Sequence, residues 1–347
     1  MRSFWLFRTN LRPLEYYHEY TELNEFQHNC HDFYLIQGIW FLQQGFFDEV
    51  VIWRMRPKNK RLQKDIIFEV GSGKFIQRFV DDFSDVFKYS KPDVTFFRGG
   101  FPEYCQLTKK KPEFFGLKLY LGASKRKYPV YGGGYDKILV ECESDLVKNK
   151  PTIPFYKTSN ARIFYPIHDT EITHDICWPC NFSQIRYKGQ EFFIRHVAQS
   201  KYLKSLKILH SGNKPEIGKK LCETYAVNNI EFLGWIDRPT LNKTLNQCKV
   251  GLVTSNLIDG CPRISTEVMN SGAPLVIRKS TRLFDYYKLH GVIDFEDNQI
   301  EERLKLAIDS HVDLRKQARQ LNASNRTSIE RICKMNLLLW GIGKQKK

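Results

Sequence analysis

Two carboxylates, Asp259 and Glu267, stand eight positions apart in the stretch TSNLIDGCPRISTEVMNSGAPLVI, residues 254–277. Pro262 falls where a helix would begin and Gly272 where it would end, the usual asymmetry of helix termini. A helix N-terminus offers free N–H groups and a partial positive charge, which suits phosphate oxygens. Gly260 lets a ligand approach the backbone closely. Asp259 lies in the loop before the helix. Glu267 lies about one turn inside it, where its carboxylate can accept hydrogen bonds from a diol. Arg263, in the first helical turn, opposes the helix dipole, a cost that a bound phosphate would offset. With Ser265 and Thr266 in the same turn, the stretch suits a ligand carrying both hydroxyls and phosphates. Taken alone, Asp259 is also an ordinary turn former, and Glu267 an ordinary helix residue.

Other residues invite chemistry with less support. Arg98, Gly99 and Gly100 follow the apolar run 94–97; glycines at the carboxyl end of a strand admit a ligand to the backbone, and a plain turn uses them equally. Tyr131-Gly-Gly-Gly-Tyr135 reads as an acceptor loop or a linker. Basic clusters at 54–64, 109–111 and 125–127 fall in the same half, so an acceptor bound there would meet positive charge. Gly71-Ser72-Gly73-Lys74 looks like a phosphate loop but lacks the four-residue spacer and the hydroxyl residue after lysine, since Phe75 follows. Cys177-Trp178-Pro179-Cys180 pairs two thiols on or just after a strand rather than at a helix start, and no second such pair completes a zinc site. Its expected role is packing. His168 and His174 receive no role.

The elements that must position these residues alternate along the chain. Apolar runs at 4–7, 50–55, 94–97, 117–121, 137–140 and 162–165 read as strands in the first half. Runs at 176–178, 206–210, 230–233, 250–254, 274–277 and 292–295 do so in the second. Helical periodicity marks 31–44, 190–200 and 238–246. Strand and helix alternating at this spacing predict an α/β protein of two Rossmann-like, doubly wound domains facing a cleft, with ligands outside the carboxyl ends of the strands. Turn and linker residues between 148 and 175 divide the chain. The first domain is expected over 1–170 and the second over 171–327. A helix and basic tail at 328–347 is expected to pack back on the first domain.

The composition agrees with two cores: 347 residues, 42% hydrophobic and 14% aromatic. A formal charge of +16 favours a polyanionic partner, a nucleic acid or an anionic bilayer, and a surface charged only for solubility is the plain alternative. The chain has no apolar run of membrane-spanning length and no signal-peptide pattern, and its nine cysteines suggest no disulfide framework. These features point to a cytoplasmic protein, peripheral at a membrane if it meets one.

The acid, glycine, proline, Glu and Ser-Gly-x-Pro series (Asp259, Gly260, Pro262, Glu267, Ser271, Gly272, Pro274) resembles the donor-binding motif of retaining GT-B glycosyltransferases, especially glycosyltransferase family four. Asp259 stands where glutamate is usual. In that family the second acid binds the ribose hydroxyls and the first lies against the donor sugar. Two further stretches are similar to the family in the same order. In 176–189 Lys188 falls at the diphosphate-binding lysine, Asn181 replaces the usual arginine, and Arg186 is the cation that would compensate. Residues 229–236 match the strand ending in glycine before the nucleobase pocket. The resemblance covers about 175–297; the first half matches in rhythm only. It implies transfer of a hexosyl group from a nucleoside diphosphate sugar, a UDP-sugar first among them, with retention, without a metal and with no further cofactor. It implies no particular catalytic side chain. The acceptor stays open between a glycan or lipid-linked acceptor at an anionic surface and duplex DNA with hydroxymethylated bases, with a non-catalytic nucleic-acid binder of the same fold as the remaining alternative.

Overall fold

Aromatic and β-branched residues concentrate in short runs that pair side by side, and helices return the chain between them. The computed structural model describes residues 1–8, 23–24, 30, 32–55, 65–99, 101–122, 134–141, 151–182, 188–256, 262–279, 283–288, 291–323 and 328–344. The chain divides into two compact units. The first comprises residues 1–140, 144–156 and 333–347, and the second 141–143 and 157–332.

Unit one is built on strands Ser3–Arg8 (β1), Glu49–Met55 (β2), Ile66–Val70 (β3), Gly73–Val80 (β4), Val94–Arg98 (β5), Leu117–Leu121 (β6), Lys137–Val140 (β7) and Thr152–Pro154 (β8). They form one eight-stranded sheet in the order β3-β4-β2-β1-β5-β6-β7-β8. All pairings are parallel except β3 with β4. Helix Phe33–Gln43 starts at Asp32, whose carboxylate accepts from the Tyr34 N–H at 3.1 Å. Almost every residue of that helix is buried, because it packs apolar side chains nearly all round. On one face of the sheet Trp5 meets Trp53 edge-on at 4.7 Å, and Phe7 stacks on Phe97 at 5.0 Å.

The β3–β4 pair is absent from the sequence reading. Gly71-Ser72, set aside above as no phosphate loop, is a two-residue hairpin turn: Val70 pairs with Gly73, and Gly71 takes φ 63. A glycine followed by serine between two strand-like runs carries that signal.

Unit two has strands His174–Pro179 (β9), Ile208–Ser211 (β10), Ile230–Phe232 (β11), Cys248–Val253 (β12), Leu275–Arg278 (β13) and Val292–Phe295 (β14). They form an all-parallel sheet in the order β11-β10-β9-β12-β13-β14. The strand order reverses between β9 and β12, which is the topological switch point where doubly wound sheets bind ligands. Residues 162–165, expected as a strand, instead form a turn. Asn160 accepts at its backbone oxygen from the N–H groups of Ile163 and Phe164, and at its side-chain oxygen from that of Arg162. Pro166 then bars continuation.

Residues 157–170, which the sequence reading places in the first domain, belong to unit two. Lys157 pairs with Glu141 at 3.0 Å, Ser159 donates to the Thr266 carbonyl at 3.0 Å, and Asn270 donates to Thr158 at 3.1 Å. At the other end, Cys333–Lys347 belongs to unit one. Trp340, 1% exposed, lies parallel to the rings of Phe155 and Phe4. Asn336 holds Tyr156 by two hydrogen bonds, accepting from its N–H at 3.0 Å and donating to its carbonyl at 2.8 Å. Among the described residues no helix is long and apolar enough to cross a membrane.

A large aromatic side chain packed this fully is part of a core. Trp340→Ala is therefore expected to lower unfolding free energy by about 3–5 kcal/mol. Urea unfolding followed by circular dichroism measures it, and a loss below about 1 kcal/mol would contradict the packing described.

Candidate functional site

The carboxyl ends of β9 and β12 lie side by side, and one hydroxyl ties them. Thr254, directly after β12, accepts from the Trp178 indole N–H at 3.0 Å and donates to the Lys188 carbonyl at 2.6 Å. Lys188 and Gly189 open the helix Gln190–Gln199. Gly189 has φ 68, and a Cβ there would stand 2.2 Å from the Thr254 carbonyl oxygen. Only glycine fits, both for backbone conformation and for contact. The helix has no side-chain cap, so its first N–H groups keep their hydrogen-bonding capacity and partial positive charge.

The neighbouring helix, Arg263–Asn270, follows β12. Pro262 is its N-cap residue and supplies no side-chain hydrogen bond. Gly272 ends it at φ 73, its N–H bonded to the Met269 carbonyl at 3.0 Å. Both terminal residues therefore sit where the sequence puts them. Ser265, Thr266 and Glu267 are all buried. Thr266 spends its hydroxyl on the Arg263 carbonyl at 2.8 Å, so that group is committed inside the helix. The Ser265 hydroxyl is buried without a hydrogen-bond partner.

Glu267 is 1% exposed. Its Oε2 accepts from Arg238 Nη1 at 3.1 Å. Its Oε1 lies 3.7 Å from Arg263 Nε, an ion pair, and has no hydrogen-bond donor among the described residues. A buried carboxylate needs cationic neighbours, and here both come from the first positions of helices, Arg263–Asn270 and Arg238–Asn246. Arg238 escaped the sequence reading. Its signal was the one already noted for Arg263, a cation in a helical first turn where the dipole disfavours it.

Asn181 behaves differently from the cation it replaces. Its side-chain oxygen accepts from the Asn213 N–H at 3.0 Å, and its carbonyl accepts from Gln190 at 2.7 Å. It braces the loops after β9 and β10. Gly234, at φ 72, turns the chain after β11, and Trp235 follows with 63% of its surface exposed. In unit one, Arg98 ends β5 with its guanidinium 4.5 Å from the Tyr34 ring centroid, and Gly99 turns at φ 66. Asp259, Gly260, Arg186 and Gly100 lie outside the described residues.

The thiol pair is a packing feature. Cys177 is fully buried on β9, where its contact with Cys248 and burial hold its thiol well above the usual range, and burial alone raises Cys180. Cys180 Sγ faces His210 Nε2 at 3.5 Å, and burial among Trp178, Phe182 and Phe232 pushes His210 down to about 4. Both partners are neutral at pH 7, which suits neither a redox dithiol nor a nucleophile. Among the described residues no group of three or more His, Cys, Asp or Glu side chains could hold a metal ion.

No family model and no curated protein matches the sequence. Solved structures do match in fold. Sucrose-phosphate synthase of Thermosynechococcus elongatus superposes with a TM-score of 0.69 at 13% identity, covering 98% of each chain. The trehalose-6-phosphate protein of E. coli, bound with UDP-2-fluoro glucose, gives 0.66 at 10%, covering 99% of this chain and 100% of that one. Anabaena Alr3699/HepE in complex with UDP gives 0.65 at 10%, covering 98% and 100%. The fold is GT-B, two Rossmann-like units.

Two outcomes follow from this geometry. Gly189→Ala must adopt a left-handed backbone costing about 1–2 kcal/mol and also displace the Thr254 carbonyl. A fall in unfolding free energy beyond that figure is expected in urea titration; an unchanged midpoint would contradict the contact. His210 is neutral when folded and gains a proton readily when unfolded, so the unfolded state binds more protons between about pH 4 and 6.5. Stability falls as pH drops through that window, by up to roughly 3 kcal/mol from this residue. His210→Leu should flatten that part of the melting-temperature profile.

Proposed function

We propose that this chain transfers a hexosyl group from a nucleoside diphosphate sugar, a UDP-sugar first among them, to a glycan or lipid-linked acceptor. The observation that carries this reading is Glu267. It is a buried carboxylate with one oxygen held by Arg238 and the other without a hydrogen-bond donor, on an uncapped helix beside the switch point. A ribose hydroxyl is the donor that Oε1 lacks. The two uncapped helix N-termini supply N–H groups for the diphosphate. Lys188 and Arg263, joined by Arg186, neutralise the charge that grows as the nucleoside diphosphate departs, and cations can do this without a metal. By the resemblance to glycosyltransferase family four, Asp259 and Gly260 are assigned to the donor sugar.

Neighbours of this fold that are bound to UDP or UDP-2-fluoro glucose support the choice of donor. Retention follows from the same resemblance, and no side chain is assigned as a catalytic base. The acceptor reading rests on the charge of +16 together with Arg98 and the turn at Gly99. Both stand at the carboxyl end of β5 in unit one, and Gly100 follows them in the chain.

The test is release or transfer of sugar from a panel of UDP-, GDP- and ADP-sugars in the presence of glycan and lipid acceptors. Glu267→Gln keeps the side chain's shape and its bond from Arg238. It should lower kcat/KM at least ~10-fold, the loss of about 1.4 kcal/mol expected for a charge-assisted hydrogen bond to the donor. A folded variant with unchanged kcat/KM, or a wild-type chain that binds no nucleoside diphosphate, defeats the reading.

A further inference from the structure

Unit two carries a concavity at the opposite pole of its sheet, and nothing in the donor reading uses it. It has a volume of about 610 Å³, within the range that holds a phosphorylated small molecule. Its cationic lining consists of Arg315, Lys316 and Arg319 from the helix His311–Ala323, with His168 and His311 beside them; Asp169 is the single acid among the lining residues. Residues 168–172 precede β9, and Arg315 donates to the carbonyls of Asn246 and Cys248 at the start of β12. The concavity therefore sits at the amino ends of β9 and β12. Six-residue strands separate it from the carboxyl ends by about 20 Å.

The arginines lack the partners such groups normally have. Arg315 is 8% exposed and Arg319 is partly buried, and each has an Nε without a hydrogen-bond partner. Their remaining bonds go to neutral carbonyls, Arg319 to that of Ile167 at 3.0 Å. Among the described residues no carboxylate pairs with either. Burial and the charge of Arg319 together bring Arg315 down to about 10, the mark of cations crowded without an acid. Two guanidinium groups and an ammonium around one hollow are donors only. An anion is the class of ligand that this cationic lining suits.

We propose that this concavity binds a soluble phosphate-bearing small molecule, held by Arg315, Lys316 and Arg319, at a site separate from the nucleotide-sugar site. Phosphate oxygens accept from planar guanidinium forks and from the lysine ammonium. Occupancy ties the helix His311–Ala323 to the segment before β9 and to the start of β12, and so stabilises unit two against unfolding.

The probe is inorganic pyrophosphate, titrated calorimetrically into the full chain at constant ionic strength, with saturating UDP present to occupy any donor site. Lys316→Glu combined with His168→Glu changes two exposed positions and leaves the buried arginines in place. Pyrophosphate is expected to bind the wild type and the Glu267→Gln variant alike, and the double variant at least ~10-fold more weakly. Co-sedimentation with phosphatidylglycerol vesicles separates the sources, and it should be equal for wild type and double variant. Equal pyrophosphate affinity in the double variant overturns the proposal. So does loss of vesicle binding without a pyrophosphate effect, which assigns the cations to a lipid headgroup. Because Glu267 and the concavity are varied separately, failure here leaves the donor reading untouched, and the reverse holds too.

Discussion

A carboxylate removed from water stays charged only if cations stand against it. Glu267 meets that condition through Arg238 and Arg263, each at the start of a different helix. Desolvating the carboxylate costs several kcal/mol, and attraction to the two arginines returns it only where geometry is good and every oxygen is used. Here one oxygen is left over. The arrangement is incomplete as a structural salt bridge. Both arginines stand at helix starts, where the dipole disfavours them, and the Glu267 carboxylate offsets that cost.

The switch point has a hydrogen-bonded floor. Trp178 on β9, Thr254 after β12 and the Lys188 carbonyl form one hydrogen-bonded line across the switch point. The line fixes where the helix Gln190–Gln199 begins, and Gly189 lets the backbone pass within contact of Thr254. A side chain at 189 would push the helix start away from β12 and with it the helix's first N–H groups. Asn181 and Gln190 brace the same loop from behind. Parallel strands thus supply position, and the uncapped helix ends supply charge.

The sheet was legible where side chains alone set strand identity. Runs such as 117–121, 137–140 and 292–295 coincide with β6, β7 and β14 to the residue. The Pro262–Gly272 punctuation located its helix because both signals act within one turn of the chain. Partners distant in sequence were not legible. The strand expected at 162–165 failed because Asn160 turns the backbone with its own side chain. The β3–β4 hairpin was missed because Gly71 was weighed only as a phosphate binder. Arg238 pairs with Glu267 across 29 positions, and no local pattern announces such a pair. The division of the chain was blurred for the same reason: Ser159 and Asn270 join through contacts more than a hundred residues apart.

The excess of positive charge also changes meaning once the structure is known. A formal charge of +16 suggests a surface built to meet a polyanion, yet several of the cations face inward. Arg315 binds strand carbonyls, Lys157 is buried against Glu141, and Arg238 serves Glu267. Inward cations of two kinds are present. Those matched by an acid, as at Lys157, contribute to the fold and leave no net field. Those matched only by carbonyls, as at Arg315 and Arg319, leave a local positive potential that low dielectric strengthens. Long-range attraction to a membrane or nucleic acid depends on the exposed lysines and falls with salt. Potential held by partly buried cations in a hollow of unit two is reached less by screening.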